Sequence, residues 1–386
     1  MAITEKYVTS AGAGAHDGSD DANAFSWAEM VTDINAGGKA GNRYNCRNDA
    51  TYSRTTTTDT LTGDGTATSP IIIRGYSSSI TDGYQGRTSG NGALVTTNMP
   101  AITYTTGALS GGGSDFIIYE SLNISGAPSS GTISGIGAGC AVARCVVVNS
   151  STNAAAVGIR AGAATIIFDC DVSLTGASGG TAAIHTTSTF LRAVANRVKG
   201  GPAIGINVNN SSGHVIVDNV VYASTGIGIA SANTGGPCVI YGNTIVGGTS
   251  DGIDIVTGTT VLQCIINNMI TDNGGYGIDG VSAANAIFAA YNRTRDNTSG
   301  ADNLATDWLA ATKYGQVTTD TGGASTDYTN SGGNDYSLIA ASPATDAGQP
   351  AYRDIGALQR QEVAGGGAVP HFGLSAAGPS FAGVGE

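Results

Sequence analysis

The stretch that decides the fold is Ile216-Val-Asp-Asn219-Val-Val221, which returns as Ile240-Tyr-Gly-Asn243-Thr-Ile245 and again as Ile265-Ile-Asn-Asn268-Met-Ile270. Each copy has an apolar residue, two variable residues, Asn, one variable residue and a second apolar residue. Further copies carry, at the Asn position, Cys145, Cys170, Asn196 and Asn292. Successive copies are 23 to 26 residues apart. A strand-like motif that returns at one period of roughly 20–50 residues indicates a solenoid.

A second repeat runs in phase with the first, and each of its copies has a small residue before an isoleucine. The pairs are Gly158-Ile159, Ala183-Ile184, Gly205-Ile206, Gly228-Ile229, Gly252-Ile253 and Gly277-Ile278. Both motifs are short, rich in β-branched residues and separated by Gly, Ser and Asn, which favours strands over helices. Stacked coils then lie roughly 4.8 Å apart, the spacing of paired strands. We therefore predict an all-β chain, a right-handed single-stranded parallel β-helix with coils of about 24 residues.

Coils that stack in register place equivalent residues on top of one another. The predicted structural ladder consists of Cys145, Cys170, Asn196, Asn219, Asn243 and Asn268. Asn suits a turn because it tolerates the left-handed backbone conformation and can bond the backbone of its own and adjoining turns. The two cysteines are expected to be buried thiols that act as small apolar residues, with a disulfide as the alternative. The six cysteines do not have the spacing of a zinc site.

The composition limits the kinds of partner. Glycine accounts for 59 of 386 residues, about twice the usual share, which fits several tight turns per coil. Only 12% of residues are charged, and 29 acidic residues outnumber 17 Lys and Arg. Nucleic acid is therefore excluded as an expected partner, because phosphate binding requires clustered basic residues. A membrane span is not expected either, since no run of about 18 apolar residues is present.

The first eight residues lack the basic and apolar regions of a secretory signal. We expect either that a signal was removed or that the protein leaves its cell without one, for example by lysis as part of a virus particle. The expected location is a virion or the extracellular surface.

The sequence divides into four segments. Residues 1–50 are expected to form an entry strand and a capping helix, 51–298 the coils, 299–361 an irregular C-terminal cap, and 362–386 a Gly- and Ala-rich tail. The capping helix is predicted at Phe25–Ile34, where apolar residues have helical spacing.

Three other segments carry separate expectations. A second short helix is predicted at Asp302–Thr312. The Gly- and Ser-rich excursions 77–92 and 107–113 lie where solenoids place binding surfaces. The tail is either disordered or docks on a neighbour through residues 364–386. Because a β-helix has flat, repetitive sides, a homotrimer is the favoured assembly, with other virion or surface proteins as further partners.

Both ends of the chain carry motifs that resemble a known family. The ending Asp335-Tyr-Ser-Leu338, Ser342-Pro-Ala-Thr-Asp-Ala-Gly348 and Asp354-Ile-Gly-Ala-Leu358 resembles the terminal motif of the pectate-lyase-like right-handed parallel β-helix superfamily, which includes the choice-of-anchor Q group of bacterial and phage proteins. The opening Tyr7-Val-Thr-Ser-Ala-Gly12 and the segment Thr66–Tyr76 are similar to that group's start and an early coil. The resemblance implies the fold, which hosts lyases, glycosidases, adhesins, phage tailspikes and structural proteins. The lyases' Lys/Arg pair beside a calcium-binding carboxylate cluster is not found, so no catalytic residue is carried over.

The residue after each isoleucine of the second repeat is predicted to point outward, because side chains alternate along a strand. In successive coils these residues are Arg160, His185, Asn207, Ala230, Asp254 and Asp279. Asp254 and Asp279 are expected about 5 Å apart at the backbone. Three interpretations stay open for them: a solvated face, a calcium site shared with Asp251, or the close carboxylate pair of a retaining glycosidase. Arg160 and His185 are candidates for binding an acidic sugar or for acid–base chemistry.

These features favour a non-enzymatic surface β-helix protein, in the first place a phage virion component such as a decoration protein, head fibre or tail fibre that contacts glycan. One alternative is a polysaccharide-degrading enzyme, a lyase or glycoside hydrolase, whose candidate catalytic residues are Asp254, Asp279, His185 and Arg160. The other alternative is a bacterial adhesin or self-assembling filament subunit. No cofactor is expected apart from calcium.

Overall fold

The computed structural model describes residues 3–54, 58–88, 92–176, 181–201, 204–209, 213–232, 235–256, 261–280, 287–304, 317–318, 328–330, 335–339 and 342. Most of these residues lie in short strands and tight turns. Within them, helices are confined to a 3-10 turn at Asp21–Asn23 and to α1 (Trp27–Asn35). No helix in this described part is long and apolar enough to cross a membrane.

The strands follow one another along the chain with short connections. The first are β1 (Thr4–Val8), β2 (Asn42–Arg47), β3 (Tyr52–Arg54), β4 (Asp59–Thr60), β5 (Ile71–Tyr76), β6 (Ala101–Tyr104), β7 (Leu109–Ser110), β8 (Ile117–Glu120), β9 (Asn123–Gly126), β10 (Ile133–Ser134), β11 (Ala141–Ala143) and β12 (Val146–Asn149). The next are β13 (Val157–Ala161), β14 (Ile166–Phe168), β15 (Asp171–Leu174), β16 (Ala182–Thr186), β17 (Arg192–Val194), β18 (Arg197–Gly201), β19 (Ile204–Asn209), β20 (His214–Val217), β21 (Val220–Ser224), β22 (Ile229–Ala232), β23 (Cys238–Tyr241) and β24 (Thr244–Val246). The last are β25 (Ile253–Ile255), β26 (Gln263–Ile266), β27 (Met269–Thr271), β28 (Tyr276–Gly280), β29 (Ile287–Ala290), β30 (Arg293–Arg295), β31 (Gly300–Leu304), β32 (Val317–Thr318), β33 (Tyr328–Asn330) and β34 (Asp335–Leu338).

Every third strand belongs to the same sheet, and paired strands within the three large sheets are parallel. Sheet 1 contains β1, β2, β5 and every third strand to β29. Sheet 2 contains β3, β6 and every third strand to β30, followed by β32. Sheet 3 contains β4, β7 and every third strand to β28, followed by β31. The register keeps equivalent residues aligned, as where Ile216 pairs with Ile240 and Ile240 with Ile265. The predicted parallel β-helix is confirmed.

Stacked aliphatic side chains fill the interior of the coils. The six isoleucines of the second repeat are fully buried, and so are Ile216, Ile240 and Ile265 of the first repeat. Burying such a side chain contributes about 1.5–3 kcal/mol. Both sequence repeats therefore mark core positions, one on sheet 3 and one on sheet 1.

The predicted N-terminal helix is also confirmed. It begins at Trp27, two residues later than the sequence predicts. Ser26 and Glu29 form a capping box, in which the Ser26 N–H donates to the Glu29 carboxylate at 2.7 Å. The buried side chains of the helix, Trp27, Met30 and Ile34, join the core of the coils. The helix is thus held to the first coils by apolar packing.

Glycine precedes isoleucine in sheet 3 because of close packing. A Cβ atom built on Gly228 would lie 2.4 Å from Cγ2 of Ile245 and 2.6 Å from the carbonyl oxygen of Gly252. A Cβ atom on Gly252 would lie 2.2 Å from Cγ2 of Ile270. A larger residue would therefore push sheet 2 side chains or the next coil away. The Gly-Ile repeat therefore marks positions where the chain packs closely against sheet 2 and the next coil.

The Asn ladder lies at the corner between sheets 1 and 2. The backbone N–H of Asn196 donates to Oδ1 of Asn219 at 2.9 Å. The amide of Asn219 donates in turn to the carbonyl of Ala193 and to Oδ1 of Asn243, both at 2.9 Å. The same pattern continues through Asn268 and Asn292. Each side chain of the ladder therefore bonds the coil on either side.

The left-handed conformation at this corner belongs to the residue before the ladder position. Arg144, Asp169, Ala195, Asp218, Gly242, Asn267 and Tyr291 have positive φ angles. The expectation that the ladder Asn itself takes this conformation is wrong. The corner is turned one residue earlier, because the N–H of the ladder Asn must face the next coil to donate to its amide oxygen.

The two ladder cysteines are free and buried, as expected. The N–H of Cys145 lies 3.5 Å from Sγ of Cys170, and the Cys170 thiol contacts the carbonyl of Val142 at 3.3 Å. The Cys170 thiol thus occupies the place of the Asn amide and makes the equivalent contacts, but sulfur is a weaker acceptor and the S–H a weaker donor. A second, shorter ladder joins Gly248, Asn273 and Asn297 through the same bonds, and the sequence interpretation missed it.

The C-terminal end departs from the sequence prediction. The short helix predicted at Asp302–Thr312 is wrong at its start, because Gly300–Leu304 pairs with β28 as a further strand of sheet 3. Residues 305–312 and the tail 362–386 lie outside the described residues. The antiparallel hairpin of β33 and β34 packs on the outer face of sheet 2. Its contacts there are among Val220, Tyr222, Val246, Met269, Tyr328, Tyr336 and Leu338.

The described part of the excursion 77–92, residues 77–88 and 92, folds back against the coils. The guanidinium of Arg87 donates to the carboxylates of Asp169, at 2.9 Å, and Asp171. The hydroxyl of Tyr84 donates to Asp169 at 2.7 Å. These charged groups are mostly buried. Arg87 therefore ties this excursion to the coil that contains β15, and these polar groups serve internal contacts.

Candidate functional site

The candidate site residues lie in one column along the outer face of sheet 3. We call it the outer column; its members are Arg160, His185, Asn207, Ala230, Asp254, Asp279 and Asn303. Each pairs in register with the next. At roughly 4.8 Å per step the column is about 29 Å long. It offers a row of polar groups at the repeat distance of the coils, which suits a linear polymer.

Asp254 and Asp279 form a stacked carboxylate pair near one end of the outer column. They are register partners on β25 and β28. Burial, followed by the charges of Asp279 and Asp251, raises the pKa of Asp254 to about 6. Asp254 has no hydrogen-bond or ion-pair partner among the described residues. The amide of Asn303 donates to Oδ1 of Asp279 at 3.0 Å. The two acids therefore sit in different environments, and Asp254 keeps its proton into the weakly acidic range.

Asp251 is held in a turn beside this pair. Its Oδ1 accepts from the N–H of Tyr276 at 2.6 Å, and its Oδ2 lies 3.3 Å from Oγ of Ser250. Within the described parts of the chain, no group of three or more His, Cys, Asp or Glu side chains is placed to hold a metal ion. The calcium interpretation of Asp251, Asp254 and Asp279 consequently gains no support from the geometry.

The other end of the outer column is recessed. His185 is 7% exposed and Asn207 is 6% exposed, although both point away from the core. Neither ring nitrogen of His185 has a hydrogen-bond partner, and Oδ1 of Asn207 and Nε of Arg160 are also unpaired. Burial, followed by the charge of Arg160, lowers the pKa of His185, so the imidazole is neutral near pH 7. Polar groups buried without partners are costly, and here three successive coils carry them.

Asn303 is the one member of the outer column that the sequence interpretation missed. It follows Asp279 by 24 residues, the period of the coils, but no Gly-Ile pair precedes it. Asp302 takes the place of the isoleucine and pairs with Ile278. The period alone would have identified this position.

Several solved structures resemble this chain. Pectate lyase Pel9A matches with a TM-score of 0.63 and 14% identity, over 93% of this chain and 97% of its own. The periplasmic alginate epimerase AlgG has a TM-score of 0.40 and 11% identity, over 73% of this chain and 76% of its own. Tailspike protein 3 of bacteriophage CBA120 has a TM-score of 0.30 and 11% identity, over 82% of this chain and 62% of its own. The first match shows a pectate-lyase-like parallel β-helix.

Sequence comparison assigns the family. No curated protein matches this chain. A family model described as periplasmic copper-binding protein (NosD) matches residues 132–334. This match covers more than half of the chain, and every sheet 3 strand from β13 to β31 lies within it. The chain therefore belongs to the NosD family.

Proposed function

We propose that this chain is a surface or extracellular β-helix protein that binds a polysaccharide along the outer column and hydrolyses it with Asp254 and Asp279. The observation that carries the proposal is the stacked acid pair, in which Asp254 has a pKa raised to about 6 while Asp279 accepts a hydrogen bond from Asn303. An acid that keeps its proton to about pH 6 beside a second carboxyl group is the pattern of a general acid and its partner.

The spacing of the two acids favours one stereochemical outcome. Stacked strands lie roughly 4.8 Å apart, close to the separation of about 5–5.5 Å between the carboxyl groups of retaining glycosidases. Asp254 would give its proton to the glycosidic oxygen as the bond to the anomeric carbon breaks. Asp279 would bond to that carbon, and water would then release the sugar while Asp254 takes a proton back. The stereochemistry at the anomeric carbon would be retained.

Reducing-end release from a panel of neutral and acidic polysaccharides tests the proposal. The wild-type chain is expected to release reducing ends without forming unsaturated sugars. Asp254→Asn and Asp279→Asn should each lower kcat about 100- to 10,000-fold while the circular dichroism spectrum is unchanged. Activity should fall as pH rises above about 6, because Asp254 then loses the proton it must donate.

A matched control is Asp64→Asn, which removes an exposed carboxylate far from the outer column in the sequence. It should leave the rate unchanged. Equal activity of wild type, Asp254→Asn and Asp279→Asn would contradict hydrolysis by this pair, and unsaturated products would point to elimination instead.

A non-enzymatic role is the second candidate function. A virion component such as a decoration protein, head fibre or tail fibre would use the outer column to hold glycan without cleaving it. The unpaired groups of His185 and Asn207 favour binding and require no chemistry at Asp254. Under this alternative, glycan binds, Asp254→Asn binds as tightly, and no reducing ends appear. An adhesin or filament subunit would give the same result.

Assembly is a separate part of the proposal. We propose a homotrimer, formed by the flat sides of the coils and by residues 364–386. Deleting residues 364–386 is expected to change the mass measured by light scattering in solution from trimer to monomer. An unchanged mass would contradict a role of residues 364–386 in assembly.

Copper, which the family description names, does not fit the donor atoms of this chain's described residues. Thiolate and imidazole are the ligands that copper prefers. The thiols of Cys145 and Cys170 face backbone carbonyls in the core, and burial raises the pKa of Cys170 well above its ordinary value. His214 accepts the N–H of Leu191 at 3.3 Å within the coil. We therefore assign no step to copper.

A further inference from the structure

The recessed end of the outer column carries buried polar groups that have no partner within the protein. His185 and Asn207 are more than nine-tenths buried, yet both His185 ring nitrogens and Oδ1 of Asn207 have no partner. Arg160, the neighbour of His185 in the register, also leaves Nε unpaired. An isolated unpaired polar group is a local defect, but three in successive coils point toward a common ligand.

The donors and acceptors of these groups define the ligand. The guanidinium of Arg160 offers fixed N–H donors that match a carboxylate or sulfate. The neutral imidazole of His185 offers one N–H donor and one acceptor, and Oδ1 of Asn207 offers an acceptor. An anionic group next to hydroxyl groups would satisfy all of them. Such a combination is found on an acidic sugar.

Ala230 separates this set from the acid pair. It occupies the outer column between Asn207 and Asp254, is almost fully buried and has no polar side-chain atom. His185 therefore lies three coils, or roughly 14 Å, from Asp254. A sugar held at Arg160 and His185 would not be the sugar whose bond is cleaved, but a unit further along the same chain.

We infer that Arg160, His185 and Asn207 form a subsite for an acidic sugar unit, with Arg160 and His185 donating to its carboxylate or sulfate and Asn207 accepting from a hydroxyl. This inference rests on the proposed glycan-binding function and names its substrate class. It makes the glycan an acidic polysaccharide, anchored at one end of the outer column and cleaved near the other.

Binding to the Asp254→Asn protein, measured by isothermal titration calorimetry, tests the subsite without cleavage. The probes are size-matched oligosaccharides with uronate carboxylates, with sulfate esters, and with neither. The acidic probe should bind at least about tenfold more tightly than the neutral one. Arg160→Gln and His185→Ala should each remove most of that preference. Whichever acidic probe keeps the preference identifies the group as carboxylate or sulfate.

The matched control is Arg192→Gln, which removes the same charge from an exposed position on sheet 1. It should leave the affinity for the acidic probe within about twofold, since an exposed charge on another face acts only through screened attraction. An equal loss in Arg160→Gln and Arg192→Gln would overturn the subsite in favour of general attraction.

The remaining outcomes separate the two proposals. Equal binding of acidic and neutral probes, with reducing-end release intact, would overturn the acidic subsite and leave hydrolysis standing. Binding of the acidic probe that depends on Arg160 and His185, without release by the wild type, would support the subsite and contradict hydrolysis. Absence of binding to every probe would overturn the subsite.

Discussion

Two stacks of polar residues run along this solenoid, and they are built in opposite ways. In the Asn ladder, each side chain bonds the coil before it and the coil after it, so that donors and acceptors are matched. In the outer column, His185 and Asn207 are nearly as buried but leave polar atoms unpaired, and Asp254 is stacked against a second acid. Both stacks use the same period and the same strand spacing.

The difference separates stabilisation from function. A buried polar group that has found its partners stabilises the coil, whereas one that lacks them costs free energy of folding. Each Asn of the ladder is a hydrogen-bond partner of its neighbours, so removing one Asn lowers the stability of the fold. The outer column would be more stable with apolar residues, so a ligand gives a reason for its composition. Substitutions in the two stacks should therefore have opposite effects on stability.

The largest effect is expected from breaking the ladder with Asn219→Ala. This change leaves the backbone N–H of Asn196 and one N–H of its side-chain amide without a partner inside the protein. Since each such group costs about 1–3 kcal/mol, the free energy of unfolding should fall by about 3–5 kcal/mol. Urea unfolding measures it. Asn153→Ala, at an exposed Asn with one local bond, is the control and should cost under about 1 kcal/mol.

The acid pair should respond in the opposite direction and depend on pH. The pKa of Asp254 is raised to about 6 in the folded protein, against an ordinary value of 3.8. The folded state therefore loses stability relative to the unfolded state as pH rises from about 4 to 6. Asp254→Asn should be about 1 kcal/mol more stable than wild type at pH 8, after allowance for partial exposure, and equal to it near pH 3.5. Urea unfolding at both pH values measures the difference.

Asp82→Asn is the control of opposite sign. Burial is the largest single influence there and opposes ionisation, but the hydrogen bonds donated by Ser77, Ser78 and Ser79 together outweigh it and lower the pKa of Asp82 to about 2. Asp82→Asn should therefore be less stable than wild type at pH 8, and the deficit should shrink as pH falls towards 2. A pH-independent difference for Asp254→Asn would contradict the raised pKa.

Completing the ladder should give a smaller gain. Cys170 stands at a ladder position where Sγ is 3.5 Å from the N–H of Cys145 and 3.3 Å from the carbonyl of Val142. Cys170→Asn would replace both weak contacts with amide bonds, and we expect a gain of about 0.5–1.5 kcal/mol in the free energy of unfolding. Cys46→Asn, at a buried cysteine outside the ladder, should destabilise. Loss of stability in both variants would contradict the equivalence of position 170.

The smallest change is expected at the recessed end of the outer column. His185→Leu removes two unpaired nitrogens from a site that is 7% exposed. Without ligand, the melting temperature of this variant should equal or slightly exceed that of wild type. The corresponding gain in the free energy of unfolding should be less than about 1 kcal/mol. Asn243→Leu, an apolar change in the ladder, should unfold at a much lower temperature. Strong destabilisation by His185→Leu would mean that His185 has a structural role.

The sequence predicts the fold well because a solenoid repeats local rules. The Asn positions and the Gly-Ile pairs give the period, and the period gives the register of Asp254 with Asp279. The position of the residue with left-handed backbone conformation at each corner is harder to predict from the sequence, because Ala195, Asp218 and Tyr291 share no side-chain chemistry. Its position follows from the backbone bonding of the Asn beside it.

The candidate site is only half readable from the sequence. Alternation along the strand places Arg160, His185 and the two acids on one face. It does not predict whether the side chains on that face are exposed to solvent or buried. Burial of His185 and the raised pKa of Asp254 depend on what surrounds each coil. Asn303 was missed because Ala301 and Asp302 replace the Gly-Ile pair in the last coil of sheet 3.

The most direct test of the central claim, that the outer column of sheet 3 is the ligand site, is a crystal structure of the Asp254→Asn protein with an acidic oligosaccharide long enough to span the column. We predict that the chain lies along sheet 3, with an anionic group at Arg160 and His185 and a glycosidic oxygen beside position 254. Oligosaccharide bound on the outer face of sheet 1 or sheet 2, with the outer column unoccupied, would contradict the account.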